Sequence, residues 1–267
     1  MIPIKTAEEI EVMGKGGRIL AGILEELGKE VKIGLKGRDL ESRAERLIAK
    51  SGGKCSFKNQ DGFPSCLCFS INEEIVHGVP GQRALKSGDI LTLDLGIFFP
   101  LEKFVSGKID SKKYPNLKSG FHTDMAKTFL VGEVDPEIQR LVRVTKKALK
   151  RAIKKTRPGN TFGDVGETIE RYVESQGFKV VRDLCGHGIG KELHEEPDVM
   201  NFGKRHSQKV LRPGMVFCIE PMVCLGDCRI KKGKDGHSYI TKDGSCCAHF
   251  EHMVAVVNGG SAVLTEV

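Results

Sequence analysis

Leu85-Lys86-Ser87-Gly88-Asp89-Ile90-Leu91-Thr92-Leu93-Asp94 and Leu211-Arg212-Pro213-Gly214-Met215-Val216-Phe217-Cys218-Ile219-Glu220 read as two copies of one phrase. Each opens on a leucine and a basic residue, turns at a glycine, and runs as an apolar strand into an acid. The echo extends outward. Downstream, His122-Thr123-Asp124 answers to His249-Phe250-Glu251, and Gly132 to Gly259. Upstream, Gly34, Asp39, Glu45, Arg46 and Gly52 recur 125 residues later as Gly159, Asp164, Glu170, Arg171 and Gly177. The acids keep nearly the same offset, 126 from Asp94 to Glu220 and 127 from Asp124 to Glu251. That is far beyond the roughly 20–50 residues of a solenoid unit. It implies a duplicated αβ unit: one domain over 1–267, of two related halves (about 1–132 and 133–267), with four acids at matched strand positions.

Composition keeps the field open to an ordinary globular chain. Of 267 residues, 39% are apolar and 29% charged, the usual balance for such a domain. No apolar run approaches the roughly 20 residues that span a bilayer, and Met1-Ile2-Pro3-Ile4-Lys5 lacks the apolar core of a signal peptide. A cytoplasmic protein without membrane contact is the expectation. The nine cysteines form no paired CxxC knuckles, so buried reduced thiols are expected rather than a zinc site. The net charge of +7 is concentrated between Pro136 and Arg157. There Arg140, Arg143, Lys146, Lys147, Lys150, Arg151, Lys154, Lys155 and Arg157 alternate in helical period with Ile138, Leu141, Val142, Leu149 and Ile153. The plain reading is a solvated helix face; the functional one is docking on an RNA-rich surface, with salt-sensitive affinity.

Local signals place the elements. Thr6-Ala7-Glu8-Glu9 is a capping-box pattern opening a helix to about Lys29. A second helix runs from about Asp39 to Ser51 before Gly52. Asp135-Pro136 is an N-cap followed by proline at the first helical position, and a fourth helix covers Phe162 to Gln176. Strands are expected at Ser65–Ile71, Ile90–Phe99, Phe121–Val131, Phe178–Val181, Met215–Ile219, Ser238–Thr241, Cys246–Val257 and Ala262–Glu266. Asp235-Gly236, Asp243-Gly244 and Asn258-Gly259 favour hairpins. The polar, Lys-rich stretch at about 101–120 reads as a surface insertion. Each half is thus helix, helix, strands: an α+β fold with helices over one face of a curved antiparallel sheet.

Asp94, Glu220 and Glu251 stand in apolar strands, where a buried carboxylate needs a cation or a hydrogen-bond network. One alone would be a strand-end acid facing water; four at matched positions point to a shared site. His187 lies in Cys185-Gly186-His187-Gly188-Ile189-Gly190, where glycines permit close backbone approach. His194 follows in His194-Glu195-Glu196-Pro197, and His77 heads the turn His77-Gly78-Val79-Pro80. Asp94, Asp124, His187, Glu220 and Glu251 form an oxygen-rich set with one imidazole. Such a set favours Fe(II), Mn(II) or Co(II), and also accommodates Zn(II). Four acids can hold two ions about 3.5–4 Å apart with a water between them, an arrangement that makes hydroxide near neutral pH and hydrolyses amides. His77 and His194 are left for hydrogen bonding or proton transfer to a substrate.

These residues resemble a known family. Asp94, Gly120-Phe121-His122-Thr123-Asp124, Gly186-His187-Gly188-Ile189-Gly190, His194-Glu195-Glu196-Pro197, Ile219-Glu220-Pro221-Met222 and Glu251-His252 are similar, in order and across almost the whole chain, to type I methionine aminopeptidase. The resemblance implies the pita-bread fold, two pseudo-twofold αβ halves around a dinuclear metal centre. It also implies removal of the initiator methionine from nascent polypeptide N-termini when the second residue is small. By motif, Asp94, Asp124, His187, Glu220 and Glu251 become metal ligands, with Asp124 and Glu251 bridging. His77 and His194 become substrate-binding and catalytic, and Glu220 a proton relay. Phe63 and Cys68, with Leu193 and His237, line the methionine pocket. Phe63 stands for the usual tyrosine, Leu193 for phenylalanine and His237 for tryptophan. Only 26 residues separate His194 from Glu220, too few for the type II insertion, and a start at the catalytic unit points to the short bacterial or organellar form. Asp94 and Asp124 are 30 apart, more than the family pattern, and residues 101–120 supply the excess.

Three other readings stand beside this one. Prolidase and aminopeptidase P share the fold and metal motif, but usually carry an N-terminal domain too large to fit before His77. A non-catalytic ribosome-binding member of the fold would typically have lost ligands, and all five are present. A purely structural metal site would leave His77 and His194 without a use. A monomer is expected, with ribosome docking through helix 136–157.

Overall fold

Thr6 starts α1 (Ala7–Lys29) with the box its sequence predicts: its hydroxyl accepts from the Glu9 N–H while the Glu9 carboxylate accepts from the Thr6 N–H. The other helices in this computed structural model of all 267 residues are α2 (Gly37–Lys50), α3 (Pro136–Lys155) and α4 (Phe162–Ser175). Asp135 caps α3, and Thr161 with Asp164 forms a second capping box on α4. All four lie where the sequence places them, their ends displaced by less than one turn.

The first half adds β1 (Lys54–Cys55), β2 (Leu67–Ile71), β3 (Glu74–Val76), β4 (Ile90–Pro100) and β5 (Gly120–Leu130). The second adds β6 (Lys179–Val180), β7 (Cys185–Gly188), β8 (Glu195–Met200), β9 (Val216–Ile219), β10 (Met222–Cys224), β11 (Ile230–Lys232), β12 (Tyr239–Thr241), β13 (Cys247–His249), β14 (His252–Val257) and β15 (Gly260–Val263). Every ladder is antiparallel, but hydrogen bonding divides the β layer into four sections. β4 carries β1 and β2 along one edge and β5 along the other; β15-β14-β9-β7-β8 forms a five-stranded section; β13-β10-β6 and β11-β12-β3 are small. The last of these pairs β3 of the first half with β12 of the second.

Buried apolar side chains gather in two large clusters that follow the repeat. One holds α1, α2 and the β4–β5 pair, the other α3, α4 and β9. Close approach is built in by small residues: a Cβ on Gly16 of α1 would lie 2.7 Å from the Phe121 ring and 2.9 Å from Phe99. Residues 101–120 are exposed along all five of their lysines, yet Leu101, Tyr114 and Leu117 are buried in the first cluster. Glu9 binds the segment to α1, its carboxylate accepting from the Asn116 backbone N–H (2.7 Å) and side-chain amide (2.9 Å).

Three expectations are corrected. The strand at Cys246–Val257 is two strands, because the Glu251 N–H leaves the ladder to donate to the Ala126 carbonyl of β5 (2.9 Å). Asp243-Gly244 turns β12 into β13, which lie in different sections, so it closes no hairpin. The cysteines are not all reduced: Cys55 and Cys66 form a disulfide, and the other seven are free thiols. β1 and β2 lie on the same edge of β4, and residues 56–66 bulge out between them. The two cysteines stand at the feet of that bulge, Cα atoms 5.0 Å apart, inside the range a disulfide accepts.

Candidate metal centre

Asp94 and Asp124 reach the site from neighbouring strands, Asp94 opposite Ala126 and Asp124 opposite Gly96 in the β4–β5 ladder. The insertion therefore leaves the register of both acids intact, since it loops out beyond Pro100 and Gly120, the last paired residues. Glu251 sits at the break between β13 and β14, and Glu220 follows the last residue of β9. His187 is in β7, held where two backbones close in: a Cβ on Gly186 would strike the Cys218 carbonyl, and one on Gly188 the Glu196 carbonyl. The glycines around His187 thus serve close packing.

All five side chains converge. Asp94, Asp124 and Glu251 each offer an oxygen within 4.8 Å of the others. His187 Nε2 lies 3.8 Å from Asp124 Oδ2 and 3.8 Å from Glu220 Oε1. The acids are between 2% and 9% exposed. Asp94 Oδ1, Asp124 Oδ1 and Glu251 Oε1 are buried with no hydrogen-bond partner, which native proteins seldom tolerate without an ion or water. Burial pushes all four carboxyl groups up. The charges of Glu251, Asp94 and Glu220 add to the shift at Asp124, Asp94 adds at Glu220, and Glu220 and Asp94 add at Glu251. Burial lowers His187 to about 4, so its imidazole is neutral and free to ligate at pH 7. Two divalent cations would cancel four carboxylates, fill the unpaired oxygens and remove the repulsion, so the donor set fits such ions.

Two further residues belong to the centre and were not legible beforehand. Cys218, two before Glu220 on the same face of β9, comes within 4.8 Å of His187 and Glu251 donor atoms. Burial, then the charge of Glu251, pushes its thiol well up, so it stays protonated and the oxygens and nitrogen form the better donor set. His249 is 1% exposed, with Nε2 3.5 Å from Glu220 Oε2. The repeat pointed at His249 by pairing it with His122, but gave no reason to favour either.

Above the acids opens a cavity of about 520 Å³. Phe63, Cys68, His77, Leu193, His194 and His237 all line it, as do Phe57, Met222 and Tyr239, which the sequence did not single out. His237 stands edge-on to Phe63 at 5.7 Å, and His194 edge-on to His187 at 4.4 Å. His77 has φ +59°, a left-handed conformation that costs a non-glycine residue about 1 kcal/mol or more. That turn places His77 in the wall of the same cavity as the acids. Burial first, then His249 and Lys232, lowers His77 to about 4, and burial lowers His194.

The sequence profile of Metallopeptidase family M24 matches residues 11–101 and 114–258. The chain belongs to metallopeptidase family M24. The gap in this M24 match falls inside the Lys-rich insertion. Methionine aminopeptidase 1 of Bacillus subtilis is 39% identical over 267 residues, covering 100% of both chains. The crystal structure of a methionine aminopeptidase from Thermotoga maritima superposes with a TM-score of 0.90 at 40% identity, again over 100% of both. A prolidase from Pyrococcus horikoshii shares the M24 fold at a TM-score of 0.74 and 21% identity; it is matched over 99% of this chain and 63% of its own.

Proposed function

We propose that this M24 enzyme is a methionine aminopeptidase that removes the initiator methionine from nascent polypeptides. Asp94, Asp124, His187, Glu220 and Glu251 hold two divalent ions, Fe(II), Mn(II) or Co(II), with Zn(II) also accommodated. The observation that carries this reading is the convergence of four buried acids and a neutral imidazole at the floor of a cavity lined by Phe63, Cys68, Leu193 and His237. Divalent ions held there supply Lewis acidity, acidifying water and polarising a carbonyl. The chain's own groups do the rest. The apolar walls take the methionine side chain, and the acid floor takes the free amine. His77, neutral and fixed in its strained turn, hydrogen-bonds the substrate at the scissile bond. His194 stabilises the developing oxyanion. Glu220 takes the proton of the attacking water and returns it to the leaving amine.

The enzyme works as a monomer in the cytoplasm and docks near the ribosomal exit through α3. The exposed positions Arg143, Lys146, Lys147, Lys150, Arg151 and Lys154 are all basic, and no acid lies within ion-pair distance of any of them. Sedimentation with ribosomes at rising salt tests the docking: binding at low salt that fades as salt rises is the expected outcome, and no binding even at low salt contradicts it. For the chemistry, metal-loaded protein is incubated with Met-Ala-Ser and with Xaa-Pro peptides. Methionine release supports the assignment, whereas release of the residue before proline without methionine refutes it. Glu251→Ala is expected to lower kcat/KM on Met-Ala-Ser by at least about 100-fold, since losing a supporting residue alone costs 10–100-fold.

A further inference from the structure

The two halves each place a histidine two residues before a metal-site acid, and the two histidines are not equivalent. His122 Nδ1 lies 2.8 Å from Ser56 Oγ, and its ring leans on Phe98 with centroids 5.0 Å apart. It is half-buried, with its Nδ1 partnered. His249 is deeper, and neither of its ring nitrogens has a hydrogen-bond partner. Its backbone cannot move to find one. The Thr128 hydroxyl accepts from the His249 N–H (3.0 Å) and donates to the His249 carbonyl (2.7 Å), and β13 pairs His249 with Met222 of β10.

The ring is aimed at Glu220. Nε2 lies 3.5 Å from Glu220 Oε2, while Oε1 of the same carboxylate lies 3.8 Å from His187 Nε2. Glu220 thus lies between two imidazoles, Oε1 nearest His187 and Oε2 nearest His249. From the far side, Asn201 Nδ2 donates to the Glu220 backbone carbonyl at 3.0 Å. A buried polar group without a partner is destabilising, and a closure of roughly 0.6 Å would bring Nε2–H and Oε2 to charge-assisted hydrogen-bond length.

We propose that His249 is a positioning residue for Glu220: its Nε2–H donates to Oε2 and so directs Oε1 to the metal centre. The inference rests on Glu220 being a metal ligand. Ligating carboxylates are themselves held by hydrogen bonds, and losing such a partner weakens metal binding 10–100-fold. No proton leaves His249 in this role. It orients a group that does the chemistry.

Calorimetric titration of the chelated full chain with Mn(II), without substrate, tests it. His249→Ala is expected to weaken binding 10–100-fold, and His249→Gln, which keeps an N–H donor, to lie within about threefold of wild type. With Met-Ala-Ser, His249→Ala should lower kcat with little change in KM. Wild-type Mn(II) affinity in His249→Ala overturns the proposal, as does a loss in His249→Gln equal to that in His249→Ala. Should His249→Ala not fold, the wild-type Zn(II)-loaded protein decides by ring ¹⁵N NMR: the Nε2–H tautomer supports the role and the Nδ1–H tautomer overturns it. If wild type binds Mn(II) normally but releases no methionine, the peptidase assignment fails while the His249 comparison still stands.

Discussion

His77 shows how burial sets the protonation of a group in the cavity wall. Desolvation opposes the charged imidazolium, and the nearby His249 and Lys232 oppose it further, so its pKa falls to about 4 from an ordinary 6.5. The sign follows: His77 is neutral at every pH above about 5. Histidine ring NMR should show no titration of His77 between pH 5.5 and 8; a midpoint near 6.5 would contradict the burial argument. Because the unfolded chain takes up its proton first, His77 lowers stability as pH falls from about 6.5 towards 4, and His77→Gln should remove that part of the acid destabilisation. The four converging acids were legible at this scale because an acid repeated at matched positions in two apolar strands has few explanations other than a shared cation. Cys218 and His249 were not, because their place in the site comes from strands that meet only after folding.

The bulge between β1 and β2 carries Phe57, Gln60, Asp61 and Phe63 into the cavity wall and is closed at its feet by Cys55–Cys66. Closing a loop of that length stabilises by about 3 kcal/mol if unfolded-chain entropy dominates. Dithiothreitol is therefore expected to lower the urea midpoint, and Cys66→Ser to do the same without reductant. Denatured, unreduced protein should titrate seven thiols of the nine cysteines; nine thiols with an unmoved midpoint would contradict the bridge. In a reducing compartment the pair stands open and this contribution is absent. Helices were readable because capping boxes, proline at N1 and terminal glycines act locally. The disulfide was not, since cysteine spacing alone does not fix pairing. Nor was the split at Phe250-Glu251: the run from Cys246 to Val257 is continuous in propensity, and only the bond from Glu251 to Ala126 interrupts it.

The molecule is built so that its two halves meet at the acids. β3 pairs with β12, the Glu251 N–H donates to β5, and Thr128 of β5 grips both backbone groups of His249 while accepting from Thr92. Thr128→Val would leave the buried His249 N–H and carbonyl unpaired, at about 1–3 kcal/mol, a loss readable as a lower denaturation midpoint. An unchanged midpoint would show that the junction is not held there. The interlocking was not legible, because matched offsets in a sequence say nothing about which edges pair. We propose that Asp94, Asp124, His187, Glu220 and Glu251 jointly hold the ions needed to cleave methionyl peptides. The most direct test is methionine release from Met-Ala-Ser while chelated protein is titrated with Mn(II) or Co(II). No release is expected before metal is added, followed by a rise that saturates by two ions per chain. Release at full rate from the chelated protein, or none at any metal concentration, would contradict it.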